Sequence, residues 1–327
     1  MIMHHFFAVD LGASSGRTVL ATWEDGRLEL RELSRFPNTM KSMDGHLFWD
    51  LPRLFDEIVA ALRQLSREGI VPESIGIDSW GCDFALFDGA GQLLGLPYCY
   101  RDPHTDGAAL RFFENRMDAP TLYGLSGIQF MDFNSVFQLA TLRDRGSKAL
   151  EQADKILFIP DALSYMLCGE AVCEYTVAST SQLLNASSGE LDMQILACLG
   201  LERNRFGRMV QPGEVIGRLS ASVQEACGLG PVKVVAVAGH DTASAVAAVP
   251  ADGDDFAYLS CGTWSLLGIE SPHPIISDDS FRHNFTNEGG VDGTIRFLKN
   301  ICGMWIFEQC RQSFGDFTVA QLVSLAA

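Results

Sequence analysis

Residues 6–23, FFAVDLGASSGRTVLATW, decide how the chain folds at its start. Residues 6–10 are an apolar run ending on a carboxylate, and residues 17–23 carry mixed β-forming side chains. The two read as strands joined by a Gly/Ser turn. Asp25-Gly26 makes a second turn into a third strand, residues 27–36, completing an antiparallel meander. Small residues in Asp10-Leu11-Gly12-Ala13-Ser14-Ser15-Gly16-Arg17 let backbone N–H groups converge on an anion, with serine hydroxyls and Arg17 as further donors. Asp10, at the strand end, suits a magnesium ion held through water. No Gly-Lys-Ser/Thr follows, so this is not a Walker A loop. A strand rather than a helix comes next, which also excludes the dinucleotide-binding fingerprint. An ordinary hairpin turn with an incidental aspartate fits the same spacing.

Outward from this hairpin, Asp50 and Pro52 open an amphipathic helix with Leu51, Leu54, Phe55, Ile58, Val59, Leu62 and Leu65 on one face. Residues 74–79 read as a short buried strand, and 84–87 as the start of a hairpin through Asp88-Gly89. Between 106 and 229 helical stretches alternate with loops, 134–145 and 161–167 being the clearest. Residues 232–238, apolar apart from Lys233, form a strand, and 241–249 the helix after it. Residues 256–259 and 265–270 pair about a glycine-containing turn, and 300–314 read as helical. DLGASSGR and SCGTWS are both strand–glycine–hydroxyl–strand turns, an internal echo of two halves with related topology. The Pro-, Gly- and Asp-rich run 250–255 marks a boundary, giving domains 1–249 and 250–327.

At 327 residues, two domains are the expectation. A hydrophobic share of 47% with 20% charged residues fits a globular protein with a sizeable core. A net charge of −17 argues against a nucleic-acid partner, which needs a basic face. It leaves a nucleotide open, since a few N–H groups, one cation and magnesium hold one. Nine cysteines, an odd number without a C-x-x-C pair, read as reduced thiols. The start MIMHHFFAVD lacks a signal peptide's basic region and cleavage site, and no apolar run has transmembrane length. The expectation is a cytoplasmic protein with small-molecule partners and neither nucleic acid nor membrane.

Four further clusters carry chemistry. Gly239-His240-Asp241-Thr242 follows an apolar strand, where α/β folds place ligands. Asp241 there is either a helix N-cap or a base able to align a hydroxyl and accept its proton late in phosphoryl transfer. Asp78-Ser79-Trp80-Gly81-Cys82-Asp83 sets an aromatic face beside carboxylates, suited to a sugar and equally to a core tryptophan with surface acids. Ser260-Cys261-Gly262-Thr263 is a second phosphate-loop candidate. Asn287-Glu288-Gly289-Gly290, with Lys299-Asn300 downstream, reads as structural on its own.

Taken in order, AVDLGASSGR, SIGIDSWGCDF, GLPYCYRDPHTDG, SGIQFMDFNS, VVAVAGHDTASAV, AYLSCGTWSLLGIES, TNEGG and LKNICGMW resemble the rhamnulokinase branch of the carbohydrate-kinase superfamily that includes glycerol kinase and xylulokinase. The resemblance runs along essentially the whole chain. It implies an α/β, actin-like/hexokinase-like (ribonuclease H-like) two-domain fold, its second domain incomplete, with ATP and sugar meeting in the cleft between domains. It implies ATP-dependent phosphorylation of L-rhamnulose at the C1 hydroxyl. By the resemblance, Asp241 is the proton acceptor, and His240, Thr242, Gly81 and Asn300 are sugar contacts. Ala13, Ser14, Ser15, Gly16 and Arg17 form the first ATP loop, Thr263 belongs to the second, and Asp10 is the magnesium-associated carboxylate. Trp80 and Asp83 are added as pocket residues on their position alone.

Two departures stand out. Glu308 occupies a position where the family often has glutamine on the nucleotide side. The chain ends at Leu325-Ala326-Ala327 where family members continue, which implies a fragment or truncated product that binds ATP poorly and turns over slowly or not at all. A kinase for another ketose (L-fuculose or xylulose) and an inactive sugar-binding fragment are the alternative readings.

Overall fold

A computed structural model describes residues 3–253, 255–262 and 264–326. Its larger sheet has six strands in the order Val215–Arg218, Lys233–Val235, Ser74–Ser79, His4–Leu11, Ser15–Glu24, Arg27–Pro37. The last three form the expected antiparallel meander, while Ser74–Ser79 runs parallel to His4–Leu11 and Lys233–Val235 runs parallel to Ser74–Ser79. The register sets Asp10 between Arg17 on one neighbour and Asp78 on the other. Three carboxyl-terminal strand ends therefore meet at one edge of the sheet.

Helix Leu51–Arg67 is capped by Asp50, whose carboxylate accepts from Arg53 N at 3.4 Å, with Pro52 in the first turn. Its buried face, Leu51, Leu54, Ile58, Val59, Leu62 and Leu65, packs with Phe7, Val9, Leu11, Ile75 and Ile77 of the sheet. Each such fully buried aliphatic side chain contributes about 1.5–3 kcal/mol. Phe55 is only half-buried at the margin of this core.

Two local expectations are corrected and a third is extended. Strand Phe84–Phe87 does turn back through Asp88-Gly89, with Asp88 N donating to Gln92 O (3.0 Å), Leu94 N to Leu86 O (2.8 Å) and a Phe87–Leu93 bridge, but its full-length partner is Lys155–Phe158, far along the chain. Gly95, at φ 89°, and Pro97 cut the local return short. The strand expected over 232–238 is confined to Lys233–Val235. Beyond it the chain leaves the ladder, Ala236 N donating to Glu214 O at 2.8 Å, and one bridge joins His240 to Ser79. Asn300 is not helical: it lies on strand Ile295–Cys302, paired along its length with Trp264–Ser271, and the helix begins only at Met304.

The second sheet is antiparallel, in the order Ala257–Cys261, Trp264–Ser271, Ile295–Cys302, Thr286–Gly289. Helix Asp241–Ala247 leads into it, with Val246 packing on Tyr258, Leu266 and Leu298. The sheet also locks onto the first body. Asn287 N donates to Gly127 O (3.0 Å) and Gly289 N to Ser179 Oγ (2.7 Å). Its other face carries Leu259, Leu267 and Ile269 to solvent, and helices Met304–Phe314 and Val319–Ala326 bury no side chain. The sequence echo has a structural counterpart. Gly12 N closes the first turn onto Ser15 O at 2.9 Å, and Gly262 N closes the second onto Trp264 O at 2.8 Å.

Candidate functional site

One cavity of about 510 Å³ lies between the two sheets. Asp10, Ala13, Ser14, Ser15 and Arg17 line one side of it. Trp80, Gly81, His240, Asp241, Thr242 and Asn300 line it further in. Ser260, Cys261 and Gly262 of the second turn also reach it, and the expected contact Thr263 lies outside the described residues. Segments hundreds of residues apart thus converge because strand ends, the turns between strands, the first turn of helix Asp241–Ala247 and strand Ile295–Cys302 all face the space between the sheets.

Gly16 and Asp83 do not line the cavity. Gly16 lies within the strand ladder, paired with Leu11 and Phe36, and a Cβ there would come within 2.4 Å of the Phe36 ring. It lets the hairpin pack; it does not present an N–H to an anion. Asp83 is completely buried and spends its carboxylate inward. It accepts from Trp49 Nε1 (2.6 Å), Trp80 Nε1 (2.9 Å), Gln138 Nε2 (2.8 Å) and Tyr100 N (3.1 Å). Burial pushes its pKa up to about 6 against the pull of these donors. Asp83 is therefore an anchor for Trp80 and not a sugar contact. Since the Trp80 N–H is consumed there, Trp80 offers the cavity only its ring, whose centroid lies 4.3 Å from that of Trp49 at a tilt of 44°. Glu308 is held by Arg311 (2.5 Å) and does not reach the cavity.

The turn at Gly239 is shaped from beneath. Glu174, buried, accepts from Gly239 N (3.0 Å), Val177 N (3.0 Å) and Thr176 Oγ1 (2.7 Å), and His240 N donates to Thr176 Oγ1 at 3.2 Å. Gly239 is required by this approach: a Cβ would sit 2.7 Å from Glu174 Oε2. Gly81 is required similarly, its Cβ falling 2.7 Å from Thr180 Oγ1 beside Cys82, which adopts φ 70°.

Asp241 stands in the first turn of its helix with a third of its side chain exposed to the cavity. Burial raises its pKa; His240 and Thr242 pull it back, and Asp10 pushes it further up. Asp78 is driven well above the usual carboxylate range, first by burial and then by Asp10 and Asp241. Three acids thus share one strand edge, yet no three described residues form a ready-made metal cage. Oxygen donors of this kind suit a hard cation that keeps its own waters.

Sequence reasoning passed over Gln129 and Arg296 and read Glu288 as structural. Gln129, buried at the cavity wall, accepts from both Asn300 N (3.2 Å) and Asn300 Nδ2 (3.1 Å). Glu288 lines the cavity almost fully buried, and Arg296 lies behind it with no exposure. The available signal was Arg296 itself, a cation between buried Ile295 and Leu298 in a strand pattern.

The sheet order and the cavity between two interlocked sheets define an actin-like/hexokinase-like two-domain α/β protein. Residues 5–248 match the N-terminal domain of the FGGY family of carbohydrate kinases, and residues 257–326 match its C-terminal domain. The chain belongs to the FGGY family of carbohydrate kinases. It is 54% identical over 322 residues to a rhamnulokinase of Bacteroides thetaiotaomicron, covering 98% of this chain and 66% of that protein. It is 45% identical to a rhamnulokinase of Pectobacterium carotovorum, covering 100% of this chain and 65% of the relative. The chain therefore spans slightly under two thirds of the length of these relatives. Its fold resembles that of xylulose kinase from Lactobacillus acidophilus (TM-score 0.83, 18% identity, 99% of this chain and 65% of that one). It also resembles Plasmodium falciparum glycerol kinase (TM-score 0.77, 12% identity, 95% and 63%). Among the described residues no helix is long and apolar enough to cross a membrane.

Proposed function

We propose that this protein catalyses ATP-dependent phosphorylation of L-rhamnulose at its C1 hydroxyl, giving L-rhamnulose 1-phosphate and ADP. The observation that carries the reading is the position of Asp241. It lies in the cavity between an anion-suited hairpin bearing Ser14, Ser15 and Arg17 and a sugar-suited wall bearing Trp80, Gly81 and Asn300. Names of relatives at 44–54% identity support the choice of ketose.

In this reading the ketose packs its C–H face on the Trp80 ring, and its hydroxyls meet His240, Thr242 and Asn300. The C1 oxygen forms a bond to the γ-phosphorus, the bond from that phosphorus to the β–γ bridging oxygen breaks, and ADP leaves. Asp241 aligns the C1 hydroxyl and takes its proton as the new bond forms, which its raised pKa favours. Arg17 and the serine hydroxyls hold phosphate oxygens. A magnesium ion, held through water by Asp10 with Asp78 nearby, would neutralise phosphate charge. We assign residues 1–249 to the sugar-kinase domain and 250–327 to the nucleotide-binding domain, and the setting to the cytoplasm, where nine cysteines stay reduced.

A coupled ADP-release assay across L-rhamnulose, L-fuculose and D-xylulose, run on this chain and on a protein extended to its relatives' length, tests this, with turnover expected mainly in the extended protein. L-rhamnulose should give the highest kcat/KM, and Asp241→Asn should lower kcat by roughly 10²–10⁴-fold. Preference for another ketose would replace the substrate while keeping the chemistry. Sugar binding without ADP release, in a protein extended to its relatives' length, would sink the kinase reading.

A further inference from the structure

Arg296 has no exposure, yet a lone guanidinium inside a protein is costly unless its charge and donors find partners. Three are present. Its Nε donates to Gly289 O at 2.9 Å, Nη1 stands 3.3 Å from Glu288 Oε2, and Nη2 is 3.1 Å from His240 Nδ1. Glu288 is Arg296's register partner in the antiparallel pair, and its Oε2 lies 3.3 Å from the same His240 Nδ1. Neither Glu288 Oε2 nor Arg296 Nη1 has a well-aligned hydrogen bond. The pair is thus an ion pair that spends its directional contact elsewhere, on the histidine ring.

His240 Nδ1 therefore faces both a donor and an acceptor. A guanidinium can only donate, so in the neutral ring the short contact requires a lone pair on Nδ1 and places the proton on Nε2. Nε2 lies 3.5 Å from Asp241 Oδ1, and Thr242 Oγ1 donates to that same oxygen at 3.1 Å. Thr242 donates to Oδ1 and the ring nitrogen faces the same oxygen at ion-pair distance, which leaves Oδ2 as the oxygen to receive a proton.

We propose that Arg296 and Glu288 are positioning residues for the reacting carboxylate. Arg296 fixes His240 as the Nε2–H tautomer, Glu288 holds Arg296 in place, and His240 in turn orients Asp241 with Oδ2 toward the acceptor hydroxyl. Because Arg296 and Glu288 lie on the second sheet, docking of that sheet sets the tautomer of a residue borne by the first body. The effect on phosphorylation rests on the kinase reading; the tautomer does not.

The test is ring-nitrogen NMR on the full chain labelled with ¹⁵N-histidine, with His240 assigned by His240→Gln. The wild type should show a protonated Nε2 and a bare Nδ1. Arg296→Met should reverse the pattern, since Nδ1–H then donates to Glu288, and should lower kcat for the ketose roughly tenfold or more with sugar KM little changed. If that variant fails to fold, Arg296→Met/Glu288→Met removes both charges at similar volume and should show mixed tautomers. A wild-type ring protonated on Nδ1, or a wild-type pattern surviving in either variant, overturns the proposal. The expected NMR reversal without phosphorylation of any ketose would leave the tautomer assignment standing and defeat the proposed function alone.

Discussion

Arg17 stands opposite Asp10 across the first hairpin and donates to its carboxylate from Nε at 2.7 Å, with Nη2 in ion-pair contact 2.6 Å from the same oxygen. The two residues read from sequence as separate ligands, one for phosphate and one for magnesium, are each other's partners across the hairpin. Both side chains are substantially exposed, so the pair is weakly held and can open at little cost.

Removing that cation should therefore act mainly on the nucleotide. Arg17→Gln leaves Asp10, Asp78 and Asp241 without a neighbouring positive charge just where phosphates are expected. MgATP affinity, measured by calorimetry, should fall roughly tenfold, in keeping with the loss of one charge-assisted hydrogen bond. Ketose affinity should stay within about twofold. Equal losses for both ligands would mean that Arg17 organises the whole cavity.

Gly239→Ala tests the support beneath His240 and Asp241. The added Cβ meets Glu174 Oε2 at 2.7 Å and forces that oxygen away from the three donors it serves. The expected cost is about 1–3 kcal/mol of stability. Turnover should drop at least tenfold because the turn bearing Asp241 shifts. A variant with normal kcat and only lowered stability would show that Glu174 serves the fold alone.

Burial makes Asp83 an unusual contributor to pH dependence. Its pKa is about 6 folded against an ordinary value of 3.8, so the folded state binds the proton more tightly. The resulting stability is fully present below about pH 3.8 and is lost as pH rises through 6. Asp83→Asn removes this titration. It also gives up one of the two acceptor oxygens, costing roughly 1–3 kcal/mol. The gap in unfolding free energy between wild type and variant, from urea melts at pH 4.5 and 7.5, should narrow at the higher pH. A gap that widens would mean that the four donors outweigh burial.

The parts legible in the sequence were those governed by local rules. The meander followed from Asp25-Gly26 and the Gly/Ser turn, and the Leu51–Arg67 helix from its apolar stripe and Asp50 cap. His240, Asp241 and Asn300 also reach one cavity as expected. What stayed hidden depended on long-range partners. Asp83 looked like a pocket acid because nothing nearby in sequence announces that Trp49 and Gln138 donate to it. The Phe84–Phe87 strand finds its mate at Lys155–Phe158, beyond the reach of turn chemistry. Glu288 was noticed without a role because Arg296, its partner, lies on a neighbouring strand and its pull on His240 exists only once the sheets dock.

The second sheet's outer face yields the last prediction. Along Ala257–Cys261 and Trp264–Ser271, Tyr258 and Leu266 point inward, whereas Leu259, Leu267 and Ile269 are 56%, 48% and 40% exposed. Trp305, Ile306, Phe314 and Val323 add exposed apolar area on the two following helices. Alternation of apolar with apolar is the pattern of a strand covered on both faces, and open apolar surface of this extent drives association. The 327-residue chain should therefore bind a fluorescent apolar probe while folded and should self-associate with rising concentration in sedimentation runs. Leu267→Lys/Ile269→Glu changes only the outer face and should restore a monodisperse species without lowering the unfolding midpoint by more than a few degrees. If the wild type is monomeric at high concentration and takes up no probe, the outer face is not the adhesive surface that its side chains imply.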